Sequence, residues 1–204
     1  SIVKYLASKG AKMAVLDRDE NAGNALVKEV VDAGNDAIFL VSDVLNQDVL
    51  EQNKKDILAK YGQIDVLINA AGGNMGPATI GPDKTIFDLS VDAFRKVVDL
   101  NLFGTVMPTM VFAKAMVDNG KGNIINFASE AALRPLTRVV GYGAAKAAVA
   151  NFTKYMAGEL SNFEDNQKKF IANVSHDLRT PLTMITGYSE VMRDLPNENT
   201  AFFM

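Results

Sequence analysis

Asn123-Ile124-Ile125-Asn126-Phe127-Ala128-Ser129, followed after a loop by Gly141-Tyr142-Gly143-Ala144-Ala145-Lys146, is the stretch that decides how this chain is read. Its first half is a short apolar run ending in a hydroxyl, the pattern of a buried strand. Its second half opens a helix with a phenol and places an amine four residues on. At that spacing two helical side chains share a face, one turn apart. An ammonium beside a phenol favours the phenolate and lowers a pKa that starts near ~10. Tyr142 is therefore a candidate proton donor or acceptor, with Ser129 placed to hold a carbonyl oxygen. Tyr5 and Lys9 repeat the spacing with neither strand nor serine nearby, so the setting singles out the second pair.

Outward from that stretch, strands and helices alternate. Residues 2–9 read as a helix ending at Gly10, and Met13 to Leu16 as a buried strand ending at Asp17. A helix over 19–33 closes at Gly34, a strand over 37–41 leads into Ser42-Asp43-Val44, and a helix over 47–61 closes at Gly62. The strand 66–68 runs into Asn69-Ala70-Ala71-Gly72-Gly73. After a polar loop over 74–84, Ser90 caps a long helix to about 117, with Gly104 and Pro108 as expected irregularities. A turn over 118–122, the strand 123–127 and a helix from about 142 to 160 follow. Strands that are apolar throughout, alternating with helices, predict an α/β class with a doubly wound parallel sheet.

Composition narrows the chemistry. The 204 residues, 48% hydrophobic and 22% charged, describe a globular chain. A net charge of −3 gives no reason to expect nucleic acid as a partner. Cysteine is absent and histidine occurs once, which excludes disulfides, thiol catalysis and any metal site built on cysteines or several histidines. No uninterrupted apolar run approaches the ~18 residues of a spanning helix, and a cytoplasmic location is the expectation.

Ser129, Tyr142 and Lys146, with Asn101 upstream in Asp99-Leu100-Asn101-Leu102-Phe103-Gly104, resemble the core of the short-chain dehydrogenase/reductase family, over roughly residues 1–160. The resemblance implies a Rossmann-like fold and hydride exchange between a nicotinamide and a small alcohol or carbonyl compound. Tyr142 would move the proton, Ser129 orient the substrate oxygen, Lys146 hold the ribose, and a water would link Asn101 to Lys146. Asp17 ends a strand where such folds place an acid on the adenosine ribose. It favours NAD over NADP, although Arg18 beside it could pair with a 2′-phosphate. Asp43-Val44 resembles the adenine-contacting pair. Asn69-Ala70-Ala71-Gly72 resembles the turn that lines the cofactor cleft, with Ala70 in place of a second asparagine. The loops 72–77 and 130–140 look most like sugar-acid oxidoreductases of the mannonate or fructuronate type, and a homo-oligomer is left open.

Two departures accompany the match. The family's glycine-rich phosphate turn precedes its first helix, and this chain opens inside that helix, so weak or absent NAD binding is expected. The strand before that helix belongs at the sheet's centre, between those ending at Asp17 and Asn69. Both neighbours should then lack partners or close up on each other, and the strand 123–127 should be an exposed edge.

From about Ser161 the character changes. Phe170-Ile171-Ala172-Asn173-Val174-Ser175-His176-Asp177-Leu178-Arg179-Thr180-Pro181-Leu182-Thr183 resembles the phosphoacceptor box of sensor histidine kinases. Ile171, Val174, Leu178, Pro181, Ile185, Tyr188 and Met192 alternate three and four apart, predicting one long helix over this part with His176 exposed as phosphoacceptor. Three readings follow: a reductase domain (1–160) joined to a kinase-like helix (161–204), a signalling protein built on His176, or an inactive chimera.

Overall fold

The computed structural model describes residues 1–134, 136, 138–161, 170–175 and 201–203. Six parallel strands form one sheet: β1 (Lys12–Asp17), β2 (Ala37–Val41), β3 (Val66–Asn69), β4 (Gly122–Phe127), β5 (Phe170–Ser175) and β6 (Ala201–Phe203), in the order β2-β1-β6-β3-β4-β5. The helices α1 (Ile2–Ser8), α2 (Glu20–Asp32), α3 (Gln47–Tyr61), α4 (Val91–Val98), α5 (Gly104–Asn119) and α6 (Val140–Ser161) connect them.

The central strands are apolar throughout because both of their faces are covered. Met13, Val15, Val66, Ile68 and Ile125 face one layer, against Val3 and Leu6 of α1 and Val30 of α2. The alternate residues Ala14, Leu67 and Ile124 face the other, against Leu50 and Ile57 of α3 and Phe112 and Met116 of α5. Successive strand residues point to opposite faces, so this period-2 division builds the doubly wound arrangement directly.

The local punctuation follows the residue types. Asp19, Asn46 and Ser90 cap α2, α3 and α4 through side-chain oxygens that accept from the backbone N–H three residues on. Gly62 and Gly120 end α3 and α5 in the left-handed region, at φ of 80° and 73°. Between α4 and α5, residues Asp99–Phe103 form a π-helical turn, so Val91–Asn119 is one helical run of 29 residues. Length and composition alone would let that run cross a membrane. In the fold, Val111, Phe112 and Met116 bury it against the sheet. Pro108 lies inside the unbroken α5, so the irregularity expected at Gly104 and Pro108 falls just before Gly104, in the π-helical turn.

Three expectations are corrected. Phe170–Ser175 is a strand, where the three-four spacing predicts helix, and it pairs with all six residues of β4. The strand 123–127 is therefore covered. Ala201–Phe203 lies between β1 and β3, pairing with Lys12–Ala14 on one side and Val66–Leu67 on the other, so the centre of the sheet is filled there. The physical reason is backbone satisfaction. An apolar helix seam needs a partner helix, whereas a buried strand with an open side offers a row of hydrogen-bonding groups whose neglect costs ~1–3 kcal/mol each. His176 and the remaining seam positions from Leu178 to Met192 lie outside the described residues.

Candidate active site

The carboxyl ends of β1, β3 and β4 carry Asp17, the turn Asn69–Gly73 and Ser129, where ligands bind in open parallel sheets. A chain of buried amides and hydroxyls locks these ends together. Asn69 Nδ2 donates to Thr109 Oγ1 at 2.9 Å and to Asn126 Oδ1 at 2.8 Å. Asn126 Nδ2 donates to Thr153 Oγ1 at 2.9 Å. Thr109 in turn donates to the Thr105 carbonyl, and Thr105 to the Asn101 carbonyl. All six residues are buried. The network ties β3 and β4 to α5 and α6, so the elements bearing Asn101, Ser129 and Lys146 share one rigid frame.

Asn101 is fully buried in the π-helical turn. Its Nδ2 donates to the carbonyls of Gly73 at 2.7 Å and Val97 at 2.8 Å, and its Oδ1 accepts from Gly73 N at 3.0 Å. Asn101 thus clamps the glycine turn that follows β3. Gly72 sits between Asn101 and Lys146: a Cβ there would lie 2.6 Å from Asn101 Oδ1 and 3.3 Å from Lys146 Nζ. Glycine is needed because two side chains converge on its backbone. At the start of α5, a Cβ on Gly104 would meet Val44 Cγ2 at 2.9 Å, which places Val44 against the same helical run.

Lys146 is buried, and its Nζ donates to the Phe127 carbonyl at 2.8 Å while lying 5.7 Å from the centre of the Tyr142 ring. Burial pushes its ammonium below the ordinary lysine pKa. The Tyr142 ring is half-buried against Ala78, Ala93 and Val97. Ser129 caps the short turn Glu130–Ala132, its Oγ accepting from Ala131 N at 3.2 Å. With that lone pair engaged, the hydroxyl proton is left to donate. Asp17 Oδ1 accepts from Asp19 N, and Asp43 Oδ1 from Leu45 N, both at 2.9 Å. Asp17 and Ala70 are exposed, and Asp43, Val44 and Ala71 half-buried, around the same rim.

Of the residues singled out by sequence, the structure thus joins Asn101, Gly72, Lys146 and Tyr142, with Ser129 at the end of the adjoining strand. Sequence reading passed over Asn126, Thr105, Thr109, Thr153 and Gly73. A signal existed for three of them: an asparagine inside an apolar strand, and threonines four apart on a helix face, need buried partners. Gly73 contributes only backbone groups and leaves no such trace.

The residues present fit the ribose sugars and the substrate end of a nicotinamide dinucleotide. Two Lys146 N–H donors beyond the one given to Phe127, the second carboxylate oxygen of Asp17 and the Ser129 hydroxyl proton make no bond to the described residues. They match the hydroxyl-rich ribose sugars and a substrate oxygen.

Comparison with known proteins agrees. The family model for short chain dehydrogenases matches residues 1–164, and that for the His Kinase A phospho-acceptor domain matches 166–203. The uncharacterised oxidoreductase UxuB of Bacillus subtilis strain 168 is 38% identical over 165 residues, covering 77% of this chain and 59% of that protein. The chain spans about three-fifths of the length of such relatives. A structure assigned as a D-mannonate oxidoreductase of Haemophilus influenzae, with bound NAD, superposes with a TM-score of 0.78 at 31% identity, covering 91% of this chain and 69% of that one. An actinorhodin polyketide ketoreductase variant with NADPH gives 0.76 at 26% identity, covering 97% and 73%. With its family model matched over residues 1–164, the chain belongs to the short-chain dehydrogenase family.

Proposed function

We propose that this chain carries the reaction centre of an NAD(P)-dependent oxidoreductase that interconverts a secondary alcohol and a ketone on a sugar acid. The observation that carries the reading is the convergence of Asn101 and Lys146 on Gly72, with the Lys146 amine over the Tyr142 ring. A nicotinamide bound there supplies or accepts the hydride. The Tyr142 phenol gives a proton to the substrate oxygen in reduction and removes it in oxidation. The Ser129 hydroxyl donates to the same oxygen, and Lys146 holds the ribose hydroxyls through its unspent N–H groups. Asp17 accepts from the adenosine ribose and disfavours a 2′-phosphate, supporting NAD over NADP. The sugar-acid class is supported by the likeness to the structure assigned as a D-mannonate oxidoreductase.

The test is NADH consumption at 340 nm with a keto sugar acid, compared with Tyr142→Phe. The variant is expected to lose ~10²–10⁴-fold in rate, the usual weight of a positioned proton donor. Retention of the full rate in Tyr142→Phe would overturn the assignment. A second reading, phosphoacceptor chemistry at His176, is favoured only by the match over 166–203. It predicts an acid-labile phosphate on His176 when a histidine kinase and ATP are supplied.

A further inference from the structure

We propose that Arg138 is the carboxylate-binding residue of the substrate site, holding the acid group of the substrate at the junction of the two loops that flank Tyr142. The inference deepens the sugar-acid reading above and rests on it.

Among the described residues, Arg138 is the one non-glycine with a positive φ, at 73°. A long side chain is uncommon in that region, and it persists only where the surroundings hold it. What holds it is visible. The Arg138 carbonyl accepts from Ile80 N at 3.0 Å, joining the 130–140 segment to the loop over 74–84. Two residues before Ile80, Ala78 belongs to the cluster that receives the Tyr142 ring. On the other side, the Val139 carbonyl accepts from Gly143 N at 3.0 Å and starts the helix that carries Tyr142 and Lys146. Arg138 is thus pinned at the meeting point of the two loops, beside the phenol's helix. An asparagine or glycine would meet the backbone need with less strain. The guanidinium therefore has a use other than conformation.

Charge pairing points the same way. Arg134, four residues earlier, is already engaged by Glu130. Arg138 makes no ion pair with any described acid. Two residues away on either side, Leu136 and Val140 are exposed apolar residues, which would shield a bound anion from water once substrate covers them. A guanidinium fork matches the two oxygens of a carboxylate in one plane, which an amine cannot do.

The test is calorimetric titration of the protein at low salt with gluconate, with sorbitol (the same carbon chain without the acid) and with sorbitol 6-phosphate. Gluconate is expected to bind at least tenfold more tightly than either of the others. Arg138→Gly removes the guanidinium and relieves the backbone, so it should weaken gluconate at least tenfold while the melting temperature holds or rises. Arg138→Asn, which also tolerates positive φ, should do the same, and Arg134→Gln should leave binding unchanged. Equal binding of gluconate and sorbitol, tighter binding of the phosphate, unchanged gluconate binding in both Arg138 variants, or a fall in their melting temperatures would overturn the proposal. NADH titration of the same samples separates the two readings. Gluconate binding lost in the Arg138 variants while NADH binding matches wild type supports the proposal, whereas wild-type protein that binds NADH but not gluconate overturns it and leaves the dehydrogenase reading standing.

Discussion

Replacing Gly72 by alanine tests the convergence at the centre of the site. The new methyl would lie 2.6 Å from Asn101 Oδ1 and 3.3 Å from Lys146 Nζ, and Gly72 already has a φ of +158°. Asn101 cannot retreat freely, because it is fully buried and bonded to both polar groups of Gly73 and to the Val97 carbonyl. Making room breaks at least the two bonds to Gly73. A buried group left without its partner costs ~1–3 kcal/mol, and partial relaxation brings the sum to about 2–4 kcal/mol. For a chain of this size that is a fall of about 5–15 °C in melting temperature. Urea unfolding of wild type, Gly72→Ala, Asn101→Ala and the double variant forms a thermodynamic cycle. Because the methyl acts through Asn101, the double variant should be less destabilised than the sum of the singles, by ~1 kcal/mol or more. A Gly72→Ala loss under about 0.5 kcal/mol, or strict additivity, would show that Asn101 does not clamp the turn.

Three further outcomes are expected. Asn126→Leu strands Asn69 and Thr153, and urea unfolding should show a loss of about 2–5 kcal/mol, against about 1–3 for Thr109→Val, which leaves Asn69 its bond to Asn126. Burial holds the Lys146 ammonium below the ordinary lysine pKa in the fold, so the unfolded chain binds more protons between the two values. Its contribution should therefore destabilise most below the folded pKa and fade as pH rises toward 10.5. The rise in stability from pH 8 to 10 should be smaller in Lys146→Met. Phe202→Pro removes a ladder donor from β6, and amide exchange at Met13, Ala14, Val66 and Leu67 should accelerate, since these residues flank that strand.

The element pattern was open to sequence because it depends on neighbours in the chain. The helix over 47–61 is observed at Gln47–Tyr61, and Ser90 caps its helix as the residue type predicts. The pairing of Tyr142 with Lys146 follows from one helical turn. The fate of residues 170–175 and 201–203 was not legible, because a short apolar segment takes the structure of whatever backbone it can satisfy. Phe170–Val174 fits a helix seam by spacing and a sheet edge by composition. The open side of β4, formed some 45 residues earlier, decided between them.

Sequence alone therefore determined the sheet's apolar strands, the placing of Tyr142 and Lys146 one helical turn apart and the family they mark, since each rests on residue type and local spacing. Tertiary structure alone decided that Asn101 and Lys146 meet across Gly72, that Asn126 joins Asn69 to Thr153, and that Arg138 is held at positive φ by Ile80. These contacts link residues far apart in the chain, and hydrogen bonds and close packing exist only once folding has brought both partners out of water.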